Sequence, residues 1–450
     1  MNLSKGSMRS HIRSIALPAS IGFFFNTMYN VVDTFYAGMV STEALAALSI
    51  SFPIFFIMIA VGSGISQGST ALISNALGEK NLKKARSYVH QGLSFSFILG
   101  VSISIIGLFL TPFAFNLLGA EGEYLSMALA YMNTILMGAP LFLILQTGNS
   151  SLIAQGDTKS FRNMLIVGFL LNIILNPMFL FGFMFIPAMG LSGIAFSTVL
   201  VQLLGCIYIY SRVRKTKIWT PLAFKRLIPL KRVYLEITGQ GFPASLNMMT
   251  IALGMFIITF FVSSYGTDAV AAFGIAIRVE QIAVLPAIGL NMALVSIVGQ
   301  NNGARRLDRV REARMLAQRY GLYMAVIGGL LTLIFARPMM SLFADNPEVI
   351  SIGVDFLRVM AFSFFGFMLY SQTASILKGL KMPFNALWLT LVRQLVLPII
   401  ILSILTYLIE ASLLVLWFGL LANTWIIAVF SILYMNHVLF KKENLGKDSS

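Results

Sequence analysis

Residues 17–50 read LPASIGFFFNTMYNVVDTFYAGMVSTEALAALSI, and residues 242–275, which lie 225 positions later, read FPASLNMMTIALGMFIITFFVSSYGTDAVAAFGI. The two stretches share ten identical residues in 34 positions, whereas unrelated sequence would give about two or three. A similar offset pairs Gly156–Phe161 with Gly379–Phe384. The chain therefore contains an internal repeat about half its own length.

The amino-acid composition indicates a protein embedded in a lipid membrane. Of 450 residues, 58% are hydrophobic and 11% are charged, against about 45–50% and 25% in soluble proteins. The mean hydropathy is +0.84, and the apolar residues form blocks long enough to cross a bilayer as helices. We therefore expect an all-α polytopic membrane protein with twelve spans, near 14–38, 47–75, 88–112, 126–150, 163–183, 190–211, 236–262, 270–298, 315–335, 349–372, 386–407 and 411–437.

The basic residues fix the predicted topology. If the N-terminus is cytoplasmic, the inner segments include the basic run from Arg212 to Arg232 and the cluster from Arg305 to Arg314, whereas the outer loops hold only Arg337. Positive charge accumulates on the cytoplasmic side of membrane proteins. We expect both termini in the cytoplasm and a multi-pass location in the inner (plasma) membrane of a prokaryote. The net charge of +15 then reflects topology, so the bilayer and not nucleic acid is the expected partner.

The basic run also divides the chain into four predicted parts. These are an N-terminal six-helix lobe at 1–212, a cytoplasmic linker at 213–235, a C-terminal six-helix lobe at 236–440 and a cytoplasmic tail at 441–450. An even number of spans in each half gives both halves the same orientation, so a pseudo-twofold axis along the membrane normal relates them. Two such lobes are typical of secondary transporters that work by alternating access. The sequence has no phosphate-binding loop of the Gly-x-x-x-x-Gly-Lys-Ser/Thr type for primary transport.

Asp33 is the candidate coupling residue in the first lobe. A charge inside a span costs about 2.5–3.5 kcal/mol on insertion scales, which makes it a functional candidate. Its repeat partner is Ile258, so symmetric packing does not require the carboxylate. Helical spacing adds polar side chains that we expect to form a site for a proton or a small cation, and these are Asn26 and Asn30 on span one, Asn172 and Asn176 on span five, and Thr198 on span six.

The identity of the driving ion is left open between two candidates. A sodium site needs about five or six oxygen ligands, which Asp33, Asn172, Asn176 and Thr198 supply only with help from backbone or water. A single carboxylate without a basic neighbour favours a proton. We expect H⁺ as the driving ion, with Na⁺ as the alternative at the same residues, and neither a cofactor nor another metal site.

The second lobe carries a possible charge cluster of its own. Arg278 and Glu280 lie on span eight and Arg393 lies on span eleven. Glu280 is either a second coupling acid or one partner of a buried ion pair. Two arginines in the same lobe favour the ion pair.

Other classes of function remain as alternatives to a drug exporter. A flippase for lipid-linked substrates would resemble it in architecture, and a channel or a membrane scaffold can also contain repeats. An enzyme is not expected, because His11, His90 and His437 lie at the ends of spans and form no catalytic constellation.

The combined motifs resemble the multidrug and toxic compound extrusion (MATE) transporters, most closely their prokaryotic DinF-type branch. The resemblance covers essentially the whole chain. It rests on Pro18, on Asp33 with Thr34, on Gly78, on the turn Gln155-Gly156-Asp157-Thr158-Lys159, on Asn172-x-x-x-Asn176-Pro177, and on Gly190-x-x-Gly193 followed by Thr198.

The resemblance implies a V-shaped pair of six-helix bundles and an antiporter that exports organic, often cationic or lipophilic, compounds such as drugs. Its first-lobe site would consist of Asp33, Asn172, Asn176 and Thr198, with Tyr131 and Asn149 as lesser members. Position 176 is Asp in several relatives, so Asn176 argues against a sodium site with two carboxylates. We expect this antiporter to be monomeric.

Overall fold

The computed structural model describes residues 1–221 and 223–447, so residue 222 of the predicted linker and residues 448–450 of the predicted tail lie outside it. The described chain is helical, with one isolated bridge between Phe183 and Ile186. The helices are α1 Met8–Val40, α2 Thr42–Gly78, α3 Leu82–Leu117, α4 Gly122–Met137, α5 Ala139–Ile153, α6 Lys159–Phe181, α7 Leu191–Val213, α8 Phe224–Leu227, α9 Lys231–Ser263, α10 Thr267–Gly303, α11 Leu307–Ser341, α12 Pro347–Ala361, α13 Phe364–Gly379, α14 Pro383–Leu391, α15 Leu397–Ser403 and α16 Leu413–Lys447.

Ten of the described helices are long and apolar enough to cross a membrane by themselves, counting Pro383–Leu408 as one. Two further pairs qualify as bent spans, α4 with α5 at 44° and α12 with α13 at 58°. The total reaches the twelve spans expected from sequence. Helices suit these apolar stretches because lipid offers no hydrogen bonds to the backbone.

The repeat governs where helices begin, end and break. α10 begins and ends 225 residues after α2, and α13 begins 225 residues after α5. The turns after α2 and α10 place Lys80 and Arg305 at φ values of 57° and 56°. Side chains rarely adopt this left-handed backbone, so both halves preserve the same local turn with different residues.

The described chain packs into two units. The first unit comprises Met1–Asn2 and Pro18–Ser245, and the second comprises Leu3–Leu17 with the chain from Leu246 onward. These bounds differ from the predicted lobe limits at 212 and 236, because residues 3–17 pack with the second unit and the start of α9 packs with the first.

Hydrogen bonds between its backbone and side chains of α10 and α11 fix the N-terminal segment within the second unit. Leu3 N donates to Gln300 Oε1 over 2.8 Å, and Asn301 Nδ2 donates to Leu3 O over 3.1 Å. Arg309 adds a bond of 2.9 Å from Nη2 to Gly6 O. Leu3 is fully buried. The segment is therefore part of the core of this unit.

Within the first unit, glycine allows two helices to approach closely. A Cβ at Gly64 would lie 2.0 Å from Ser245 Oγ, and one at Gly68 would lie 2.7 Å from Gly241 N. The spacing Gly64-x-x-x-Gly68 is the small-residue pattern that brings helix backbones together in membranes. This contact fixes the start of α9 against α2.

Candidate functional site: a buried carboxylate in the first unit

Three helices converge on the Asp33 carboxylate. Asn172 Nδ2 and Asn176 Nδ2 each donate to Asp33 Oδ1 over 2.8 Å. Thr198 Oγ1 donates to Asp33 Oδ2 over a longer 3.5 Å. Asp33 is 7% exposed and both asparagines are fully buried. The structure thus brings together the α1 acid, the α6 amide pair and the α7 hydroxyl, and we call these four residues the Asp33 cluster.

Regular helix geometry and one glycine build the cluster. Positions 172 and 176 are one turn apart on α6 and therefore share a face. A loop closed by a bond of 2.9 Å from Met189 N to Phe179 O returns the chain into α7. A Cβ at Gly193 would lie 2.5 Å from Phe179 O, so only glycine allows this approach of α7 to α6. Thr198 follows little more than a turn later and reaches Asp33.

The cluster surrounds the carboxylate with hydrogen-bond donors. Each asparagine also contacts the other, with Asn172 Nδ2 and Asn176 Nδ2 each 3.3 Å from the partner's Oδ1. Among the described residues, no Lys or Arg forms an ion pair with Asp33. A buried carboxylate without a cation depends on such donors for its stability. Neutral dipoles alone therefore hold this acid in place.

Two tyrosines on α1 join the site, and the sequence reasoning did not single them out. Tyr29 OH donates to Thr198 Oγ1 over 3.1 Å, which extends the donor chain that ends on Asp33. Tyr36 OH donates to Ile173 O over 3.2 Å. Pro177 has no N–H for this carbonyl four residues before it. The sequence feature that could have identified them is their spacing from Asp33. Tyr29 lies four residues before it and Tyr36 three residues after it, so the three side chains share one face of α1.

The remaining first-lobe candidates differ in their proximity to the carboxylate. Tyr131 is buried and interacts electrostatically with Asp33. Asn149 is buried with an unpartnered Oδ1 and forms no described bond to the cluster. Asn26 and Asn30 are exposed, and Asn30 Nδ2 bonds to Asn26 O over 2.9 Å. Of the three α1 candidates Asn26, Asn30 and Asp33, only Asp33 thus belongs to the cluster.

The second-lobe charges lie in the second unit and do not form the ion pair expected from sequence. Arg393 and Glu280 interact electrostatically, yet neither takes part in an ion pair among the described residues. Arg278 is exposed. The reason is that the Arg393 guanidinium packs on aromatic rings, 5.3 Å from the centroid of Phe367 and 5.0 Å from that of Tyr370.

Among the described residues, no group of three or more His, Cys, Asp or Glu residues is arranged to hold a metal ion. A sodium ion at the Asp33 cluster would need the amide oxygens of Asn172 and Asn176. Both amides instead present their N–H groups to the carboxylate.

Comparison with known proteins identifies the family. A family model described as MatE matches residues 18–178 and again residues 243–404. The two matches begin at the spacing of the internal repeat, and together they cover more than half of the chain.

Relatives that match over most of their own length agree with this result. A protein named FAD transporter from Shewanella oneidensis is 28% identical over 84% of this chain and 84% of its own. The probable multidrug resistance protein YoeA of Bacillus subtilis is 28% identical over 78% of this chain and 76% of its own.

In fold, a MOP superfamily transporter from Pyrococcus furiosus gives a TM-score of 0.91 at 24% identity and covers 98% of both chains. An outward-facing multidrug resistance MATE family transporter gives the same TM-score. The expected resemblance is confirmed: the chain belongs to the MatE family, the MATE membrane transporters, and it is a transporter and not an enzyme.

Proposed function

We propose that the protein is a secondary antiporter that exports organic compounds in exchange for inward protons, and that Asp33 carries the proton. The observation that supports this most strongly is a buried carboxylate held by neutral donors with no basic partner. Its charge is the only one in the cluster. Binding of one proton therefore changes the cluster from charged to neutral.

Protonation has a direct structural consequence in this arrangement. A neutral carboxyl accepts hydrogen bonds more weakly than a carboxylate, so its bonds from Asn172 and Asn176 lose strength. α1 is then held less tightly against α6 and α7. The protonated and deprotonated forms of Asp33 therefore differ in helix packing. A proton that enters from outside and leaves to the cytoplasm moves the protein between these two states, as alternating access requires.

The names of the relatives support a broad range of organic cargo. Several are named multidrug resistance or multidrug export proteins, and one is named an FAD transporter. We propose drugs and organic cations as exported compounds, and we add organic anions as a second cargo class. We further propose a monomer of the DinF-type branch in the inner membrane of a prokaryote, with both termini cytoplasmic. The limits of the lobes, linker and tail predicted from sequence remain part of this proposal.

Sodium coupling and lipid flipping are the alternatives. Sodium would require Asn172 and Asn176 to turn their oxygens toward the ion, and this would give up the two shortest bonds of the Asp33 cluster. A flippase would act on a lipid-linked substrate whether or not Asp33 binds a proton.

The test is ethidium efflux from proteoliposomes with a pH gradient and a sodium gradient imposed separately. We expect the pH gradient to drive efflux by the wild type and the Asp33→Asn variant to lose that efflux while folding normally. Glu43→Gln is the matched acid-to-amide control, because Glu43 is exposed at the start of α2. Efflux at the normal rate by Asp33→Asn would overturn the assignment. A response to sodium alone would replace the proton with Na⁺, and no efflux under either gradient would direct attention to lipid-linked substrates.

A further inference from the structure

The second unit holds an arginine whose hydrogen-bonding capacity is largely unused. Arg393 Nη1 donates to Gln394 Oε1 over 2.9 Å. Its Nε is buried and has no hydrogen-bond partner. A guanidinium carries five N–H donors that can bind a carboxylate or a phosphate through two bonds. Nη2 donates to no acceptor in the described chain and is not among its buried orphan atoms, so one end of this charged group within a span is left without a partner.

The local backbone sets this arginine apart from its helix. Residues 392–396 form a short π-helix inside the span Pro383–Leu408. Such segments inside α-helices occur frequently at functional sites. Asn423 Nδ2 donates to Arg393 O over 3.1 Å and occupies a carbonyl in this irregular turn. Counted with the offset of 223 that pairs Gly156–Phe161 with Gly379–Phe384, Leu170 takes the place of Arg393 in the first half, so the arginine is specific to the second unit.

Aromatic and polar side chains fix the position of the guanidinium. The rings of Phe367 and Tyr370 lie beneath it, as described above. Tyr370 OH is 2.5 Å from Thr390 Oγ1, which also receives a bond from Asn247 Nδ2. Tyr370 and Thr390 are buried, so this network restricts the ring on which Arg393 packs. An arginine held in advance loses little conformational entropy when it binds a ligand.

The charge is not neutralised by direct contact within the second unit. Glu280 is half-buried and acts on Arg393 electrostatically, but it forms no described ion pair. Arg393 is also half-buried, and a charged side chain in a span faces protein or water and not lipid. An unpaired guanidinium at such a depth is costly, and an anionic ligand reduces that cost.

We propose that Arg393 is the recognition residue of an anion subsite in the second unit, and that it binds the carboxylate or phosphate group of a transported organic compound. This extends the proposed transport function by naming a substrate class. Glu280 competes with the ligand, because its carboxylate acts electrostatically on the same guanidinium. Loss of the Glu280 charge therefore strengthens binding of the anion.

Two probes of nearly the same shape and opposite charge test the subsite. 1-Naphthylacetate and 2-(1-naphthyl)ethylamine are titrated against the purified full-length protein by equilibrium dialysis. We expect Arg393→Gln to weaken naphthylacetate binding by about tenfold or more and to leave naphthylethylamine binding unchanged. We expect Glu280→Gln to strengthen naphthylacetate binding. Arg278→Gln, which removes an exposed arginine two residues from Glu280, is the matched control and should change neither.

The outcomes separate this proposal from its alternatives. Equal losses for both probes, or no loss for either, would overturn it and leave Arg393 as a packing residue. If Arg393→Gln does not fold, Glu280→Gln decides alone, and unchanged naphthylacetate binding would then overturn the proposal. Equilibrium binding needs no ion gradient. Selective loss of anion binding therefore supports the subsite even if Asp33→Asn still exports ethidium.

Discussion

The two units share a repeat but place their buried charges at different points. The first unit has Asp33 where the second has Ile258, and the second unit has Arg393 where the first has Leu170. Asp33 is surrounded by three short polar side chains that donate to it. Arg393 lies on two aromatic rings with unused donors. The acid is thus satisfied within its own unit, whereas the arginine is not.

The difference indicates that the two units have similar folds but bind different kinds of ligand. A site that is complete without a ligand suits a proton, which needs only one oxygen atom. A site with free donors suits a larger group that brings its own acceptors. The repeat conserved helix bounds and turns, and the two polar sites are departures from that symmetry.

The largest expected effect comes from placing an acid in the second unit at the position that matches Asp33. Ile258 is half-buried against the core around Trp417 and Phe273, with no amide pair comparable to that of α6. We expect Ile258→Asp to lower the free energy of unfolding by about 3 kcal/mol, the cost of an unsatisfied charge in a span. Thermal unfolding of the purified protein measures it.

Ile258→Val is the matched control for that substitution. It removes one methylene and should cost about 1 kcal/mol. If Ile258→Asp proves as stable as Ile258→Val, the polar surroundings of Asp33 are not what offsets the free-energy cost of burying its charge.

A second substitution tests whether the site in the first unit binds a proton or a sodium ion. Asn176→Asp replaces one donor of the Asp33 cluster by a second carboxylate, and the two like charges then favour a cation between them. We expect sodium to stabilise this variant by about 1.4 kcal/mol at ten times its dissociation constant, through linkage of binding to folding. Unfolding temperatures recorded at increasing NaCl, with KCl at equal ionic strength, measure the effect.

The control for this experiment is Asn149→Asp, which places a carboxylate at a buried position outside the cluster. Specific stabilisation by sodium in the wild type itself would contradict proton coupling and favour the sodium alternative.

The sequence was sufficient to predict most of the fold and the centre of the site. Apolar length and basic loops gave the spans, and i, i+4 spacing placed Asn172 and Asn176 together. The sequence did not predict which residues of other helices pack against a given helix face. The same periodicity that selected Asp33 also selected Asn26 and Asn30, which are exposed, because helical spacing defines a face but not what packs against it. The packing of Arg393 depends on the positions of two rings from a separate helix, α13, which helical spacing does not specify.

The smallest expected effect concerns the bond from Tyr36 to the carbonyl of Ile173. Along the repeat, the second unit has Phe261 in place of Tyr36 and, at the offset of 223 that pairs Gly156–Phe161 with Gly379–Phe384, Ile400 in place of Pro177, so it lacks both the hydroxyl and the proline. We expect Tyr36→Phe to lower the free energy of unfolding by about 1 kcal/mol, since it leaves a carbonyl without a donor.

A Pro177→Leu background tests the cause of this effect. Residue 177 then regains its N–H, which can donate to Ile173 O within the helix. In that background Tyr36→Phe should therefore cost almost nothing. A double-mutant cycle of thermal unfolding measures this coupling directly. Equal costs in the two backgrounds would mean that the tyrosine stabilises α1 by packing alone, and that the proline and the hydroxyl are independent features of the first unit.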